Sequence, residues 1–233
     1  MIKRLLVAVA VTSVLTGCLS TIMPGKSTQT PSAIPITPEH IEMVRSLGSA
    51  DLTKYADQGD QFAQYYLGNK YAQGQEVPQD MSKAKSLWEL SANQGNANAL
   101  YNLGMIYFSG QGAPQDLNAA LSFFQKSANA GNLRAALQAG SMFETGQGTE
   151  VNLPIAAQFY QMAAPTDPNA AYRLAMLLTR NTPELPADYN QAYQLLQQAA
   201  SQGNRLAPRA LSIFQNYPQD QAIELLNRLN NSI

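Results

Sequence analysis

The sequence predicts an all-α protein, an α-solenoid of antiparallel helix pairs that follows a signal peptide and a disordered tether. Three observations predict it. Residues 59–68 return as residues 95–104 and again as 131–140, 36 residues apart each time, with a weaker fourth copy over 169–175. Each copy has two halves with helical spacing: Ala63, Leu67 and Tyr71 in one, Ala84, Trp88 and Ala92 in the other, at i, i+4 and i+8, which places them on one helix face. Between the halves run segments such as 109–116, whose Gly110, Gly112 and Pro114 forbid a continuous helix. Each unit reads helix, turn, helix. One such pair buries its apolar stripe only against stacked neighbours, so at least three are needed.

The elements follow in order. Lys3 and Arg4 precede an apolar run over residues 5–15. That run is shorter than the about 20 residues that span a bilayer, and basic start, short apolar stretch and small residues describe a signal peptide over residues 1–17. Leu15-Thr16-Gly17-Cys18 resembles the bacterial lipobox. The resemblance implies cleavage before Cys18, palmitate and further acyl chains on that residue, and attachment to the membrane through this N-terminal lipid only. Each buried methylene is worth about 0.8 kcal/mol, so several chains anchor stably where one is marginal. Leu19 follows where an Asp would favour the inner membrane, which implies an outer-membrane anchor, on the periplasmic face. Residues 18–38 carry Pro24, Pro31, Pro35 and Pro38 among Ser, Thr and Gln without an apolar period, the composition of a tether.

Residues 39–58 read as an N-terminal cap helix with a half repeat, 59–202 as four repeats, and 203–233 as capping helices broken at Pro218. Asp80, Asp116, Asn152 and Asp188 stand where short acceptor side chains cap the second helices. Gly95, Gly131 and Gly203 stand where those helices close. Gly68, Gly104 and Gly140 sit inside the first helices, although an interior glycine costs about 1 kcal/mol relative to Ala. Their recurrence predicts a close approach by the partner helix. Trp88, Phe124 and Tyr160 recur opposite, as core residues.

Lys83-Ala84, Trp88, Ala99, Leu103-Gly104, Tyr107, Gly110 and Gly112 together resemble the motif of the Sel1-like repeat family, relatives of the tetratricopeptide repeat. The resemblance covers residues 57–203. Three positions and one segment depart from it: Glu76 replaces a loop glycine, Phe143 a tyrosine and Ala175 the interior glycine, and residues 180–187, with Pro183 and Pro186, replace the glycine loop. That last loop is expected to be irregular.

Composition narrows the function. Charged residues make up 13% of the chain and the net charge is −1, against the usual about 25% charged. That is a poor match for nucleic acid, which is bound mainly by cations neutralising phosphates. No enzyme is expected, because no nucleophile, acid–base pair or metal set is visible. No cofactor loop follows a strand: Gly110, Gly112, Gly146 and Gly148 recur as the repeat's turn. The single cysteine is assigned to lipid. The single histidine, His40, reads as a solvent-exposed residue at a helix start.

A binding surface is the better candidate. In related solenoids the first helices line the concave face. The positions expected there are Tyr65, Tyr101, Leu137 and Tyr172; Asn69, Met105, Ser141 and Met176 one turn on; Asn98, Arg134 and Asn169 one turn back; and Phe108 and Glu144 at the far end. Tyrosine is enriched at binding hot spots and methionine suits adaptable surfaces. Each ring either lines the groove or packs between repeats; the row as a whole favours the groove. The expected partner is an envelope protein or peptide, with a glycan (peptidoglycan or exopolysaccharide) as the alternative, since rings and amides suit sugars as well.

Overall fold

The computed structural model describes residues 36–231, so the signal peptide, Cys18 and nearly all of the tether lie outside the described residues. Those described form helices without strands. Two helices lead, α1 (Pro38–Ser46) and α2 (Ser49–Asp57). Four pairs follow: α3 (Gln61–Gln73) with α4 (Met81–Asn93), α5 (Ala97–Ser109) with α6 (Leu117–Asn129), α7 (Leu133–Thr145) with α8 (Leu153–Ala163), and α9 (Pro168–Leu177) with α10 (Tyr189–Ser201). Then come α11 (Ala207–Asn216) and α12 (Gln219–Asn231), separated at Pro218. Each second helix packs on the first helix of its own pair and on that of the next. Pro38, which the sequence reading assigns to the tether, opens α1 behind the Thr37 cap.

Capping is systematic. Asp60, Asn96, Asn132 and Asp167 accept backbone N–H groups at the starts of α3, α5, α7 and α9. Asp80, Asp116, Asn152 and Asp188 do so for the second helices. The first loop glycine takes a left-handed conformation after α3, α5 and α7, at Gly74, Gly110 and Gly146.

The interior glycines show why they recur. A Cβ on Gly68, Gly104 or Gly140 would stand 2.7, 2.6 and 2.7 Å from the rings of Trp88, Phe124 and Tyr160. Packing that close admits no side chain. In the fourth pair Leu196 replaces the ring and Ala175 replaces the glycine, both fully buried. Beside these contacts Tyr107 stacks on Phe123 at 5.5 Å and Phe143 on Phe159 at 5.8 Å. The tyrosine-to-phenylalanine departure at Phe143 therefore keeps the stack.

Two other departures are compensated. Glu76 takes φ +62° where the next repeats have Gly112 and Gly148. A side chain on Gly148 would collide with the Leu117 carbonyl, whereas the Glu76 carboxylate accepts from Lys70 Nζ at 2.5 Å and from the Ser49 amide at 2.7 Å. It ties the start of α2 to the first loop. The irregular loop before α10 is pinned by Glu144, which pairs with Arg180, lies 3.6 Å from Arg173 and accepts from the Tyr160 hydroxyl at 2.6 Å.

His40 corrects its sequence reading. Its side chain is only 14% exposed, and Nε2 lies 2.5 Å from Asp60 Oδ2, itself buried. Elsewhere, an amide pair joins successive first helices at this point: Asn132 donates to Asn98, and Asn204 to Asn169. The helix start is covered because α1 packs on α3.

Candidate functional site

The 36-residue period puts equivalent residues of α3, α5 and α7 side by side on the first-helix face. Tyr65 and Tyr101 share one repeat position and are both half-buried. Tyr101 packs its ring against Phe124, tilted by 46° with centroids 5.7 Å apart. Asn98 and Arg134 share a second position, one turn earlier, and both are exposed. Between them opens a cavity of about 510 Å³, lined chiefly by Tyr65, Asn98, Tyr101, Asn102, Asn132 and Arg134. The structure thus brings four expected residues together: Tyr65, Asn98, Tyr101 and Arg134.

Asn102 and Asn132 were missed by the sequence reading. Asn102 follows a tyrosine and sits half-buried, donating at 3.1 Å to Asn69. Asn132 caps α7 and also donates at 2.9 Å to Asn98. The 34-residue interval between Asn98 and Asn132 was the available signal, visible again, one residue longer, between Asn169 and Asn204. Amides in this arrangement hold one another in place and still present unused donors and acceptors. Arg134 is the one charged side chain among the lining residues, and no carboxylate among the described residues pairs with it.

The other expected residues do different work. Asn69 accepts from Trp88 Nε1 and from Asn102, both at 3.1 Å, so its oxygen is committed within the fold. Met105 and Phe108 are half-buried against the main core, Phe108 with its ring 6.2 Å from Phe124. Tyr172 and Met176 correct the groove assignment: they are 5% and 2% exposed. They share repeat positions with Tyr101 and Met105, but α12 packs on α9 as well as on α11, and its Leu226 and Leu229 join the buried cluster that holds Tyr172 and Met176. Burial raises the Tyr172 pKa, and its hydroxyl has no hydrogen-bond partner among the described residues.

Among the described residues no group of three or more His, Cys, Asp or Glu is placed to hold a metal ion. No described helix is long and apolar enough to cross a membrane. The surface offers rings, amides and one guanidinium: the means to bind and orient a ligand.

The Sel1 repeat model matches residues 61–96, 97–132, 133–164 and 168–204. Among solved structures, a protective antigen present in uropathogenic Escherichia coli, displaying an SLR fold, is 30% identical with a TM-score of 0.68, over 76% of this chain and 39% of that one. A Sel1 repeat protein from Oxalobacter formigenes is 28% identical with a TM-score of 0.59, over 70% of this chain and 65% of that one. The chain thus spans less than two thirds of either. No curated protein matches it.

Proposed function

This chain belongs to the Sel1 repeat family, and from that premise we propose that it is a lipid-anchored scaffold of the bacterial cell envelope that captures a protein or peptide on the face of α3, α5 and α7. Sel1 repeats form a general protein-interaction scaffold fold. The observation that carries the reading is the cavity of about 510 Å³ where Tyr65, Tyr101, Asn98 and Arg134 converge. Rings supply contact area at low entropic cost, amides supply adaptable hydrogen bonds, and an unpaired guanidinium supplies orientation. Sel1-repeat proteins are typically non-catalytic scaffolds, which favours binding over catalysis. Lipid on Cys18 would hold it at the outer membrane, periplasmic side, with the segment between Cys18 and α1 as spacer.

The test is capture from envelope extract by the chain and by its Tyr65→Ala/Tyr101→Ala variant. A protein retained by the first and lost by the second, at equal helicity, supports the reading. Equal retention overturns the face as the site. Labelling with radioactive palmitate, abolished by Cys18→Ala, tests the anchor. A second reading, a glycan ligand, draws on the polar lining of the same cavity, where Asn98, Asn102 and Asn132 stand between two tyrosines. Co-sedimentation with cell-wall sacculi, lost in the same variant, would favour it.

A further inference from the structure

The last helix breaks the packing rule of the others. Every second helix of the four pairs packs between two successive first helices, but α12 packs on α11 and back on α9, both first helices. Its neighbours α9 and α11 belong to the row of first helices that begins with α3, α5 and α7. Its buried side chains are Ala222, Leu226 and Leu229, 1%, 0% and 5% exposed, and the two leucines share one apolar cluster with Tyr172 and Met176. Ala222, Leu226 and Leu229 fall at i, i+4 and i+7, the anchor spacing of an amphipathic helix laid in a groove.

What α12 covers is the continuation of the candidate site. Tyr172 stands at the repeat position of Tyr101 and Tyr65, and Met176 at that of Met105. The covered pair is buried while the uncovered three are half-buried. The third pair holds Leu137 and Ser141 at these positions, so tyrosine recurs on the first, second and fourth first helices, buried at the last and half-open on the first two.

We propose that the partner of this face is an amphipathic α-helix with a small–leucine–leucine stripe, and that α12 is a tethered competitor for it. The proposal rests on the scaffold reading and names its ligand class. Extension from the α12 seat carries such a helix over Tyr101 and Tyr65. Its polar flank meets Asn98 and Arg134, which selects an acidic residue there. The Tyr172 hydroxyl is buried without a hydrogen-bond partner among the described residues, a cost that exposure to water removes.

The experiment uses the whole chain and, as probe, a fluorescein-labelled synthetic peptide of residues 218–233. Leu226→Asp frees α12 and vacates the seat. This variant binds the peptide at least tenfold more tightly than the unaltered chain, and a further Tyr172→Ala or Tyr101→Ala weakens that binding. Equal binding by both chains, or by neither, overturns the proposal. Tyr172→Phe provides a test that does not disturb the fold. It removes the unbonded hydroxyl, so the amides of residues 219–231 exchange with deuterium at least threefold more slowly; an unchanged or faster rate overturns the α12 competition. If the Leu226→Asp chain refuses the peptide while envelope capture still needs Tyr65 and Tyr101, the helix class fails and the scaffold reading stands. If capture ignores both rings, the two fail together.

Discussion

The ring of Phe124 lies over Gly104 so closely that a Cβ on the glycine would stand 2.6 Å from Cε1. Two helices meet there backbone to ring. Gly104→Ala gains helix propensity of about 1 kcal/mol and loses more through overpacking, about 1–3 kcal/mol before relaxation. The expected net result is a lower melting temperature. The fourth repeat supplies the remedy, since it pairs Ala175 with Leu196. Gly104→Ala/Phe124→Leu should recover part of the loss, so a double-mutant cycle gives a favourable coupling of at least about 0.5 kcal/mol. Strict additivity would show that the contact does not govern the site.

His40 and Asp60 dock α1. His40→Ala leaves the buried Asp60 carboxylate without its side-chain partner, at a cost of about 1–3 kcal/mol. Chemical denaturation should show that loss, and limited proteolysis should cut first within residues 36–48. Asp60→Asn reproduces the neutral cap that Asn96 and Asn132 provide, so it should cost less. A milder effect from His40→Ala than from Asp60→Asn would reverse this assignment.

Glu76 gives the N-terminal region an acid limit. Its pKa is lowered, first by Lys70 and then by the Ser49 amide. A carboxyl lowered on folding stabilises the native state above its unfolded pKa, and that contribution is lost as pH falls through the folded value. Exchange protection in α2 should fall below the ordinary glutamate range. Glu76→Gln should lack that dependence and show weakened α2 protection at neutral pH. Parallel acid profiles for the two chains would place the limit elsewhere.

Glu144 holds the loop before α10. Its side chain is 8% exposed and is shared by Arg180, Arg173 and the Tyr160 hydroxyl. Glu144→Gln breaks a largely buried ion pair and should cost about 3 kcal/mol. Proteolytic sensitivity should appear within residues 180–188. Because Glu144 stands at the far end of the first-helix face, partner capture through Tyr65 and Tyr101 should persist in the surviving folded protein.

Much of this molecule was written in its period. The recurrence of Ala, Leu, Gly and aromatic residues every 36 positions determined helix type, pairing and core, because a stacked repeat can bury its apolar stripe in only one register. The caps at Asp80, Asp116, Asn152 and Asp188 followed from local backbone chemistry, as did the close approach at Gly68, Gly104 and Gly140. What the period could not tell was where the repetition stops being equivalent. Tyr172 and Tyr101 are alike in sequence position, yet one is buried and the other half-open, because α12 turns back onto α9 through apolar contacts distant along the chain. His40 reads as an exposed helix start until α1 packs on α3 and brings it to Asp60. Asn69 reads as a surface amide until Trp88 and Asn102 converge on its oxygen. Local pattern sets what a residue can form; burial and pairing depend on which distant segment arrives, and only the tertiary structure decides that.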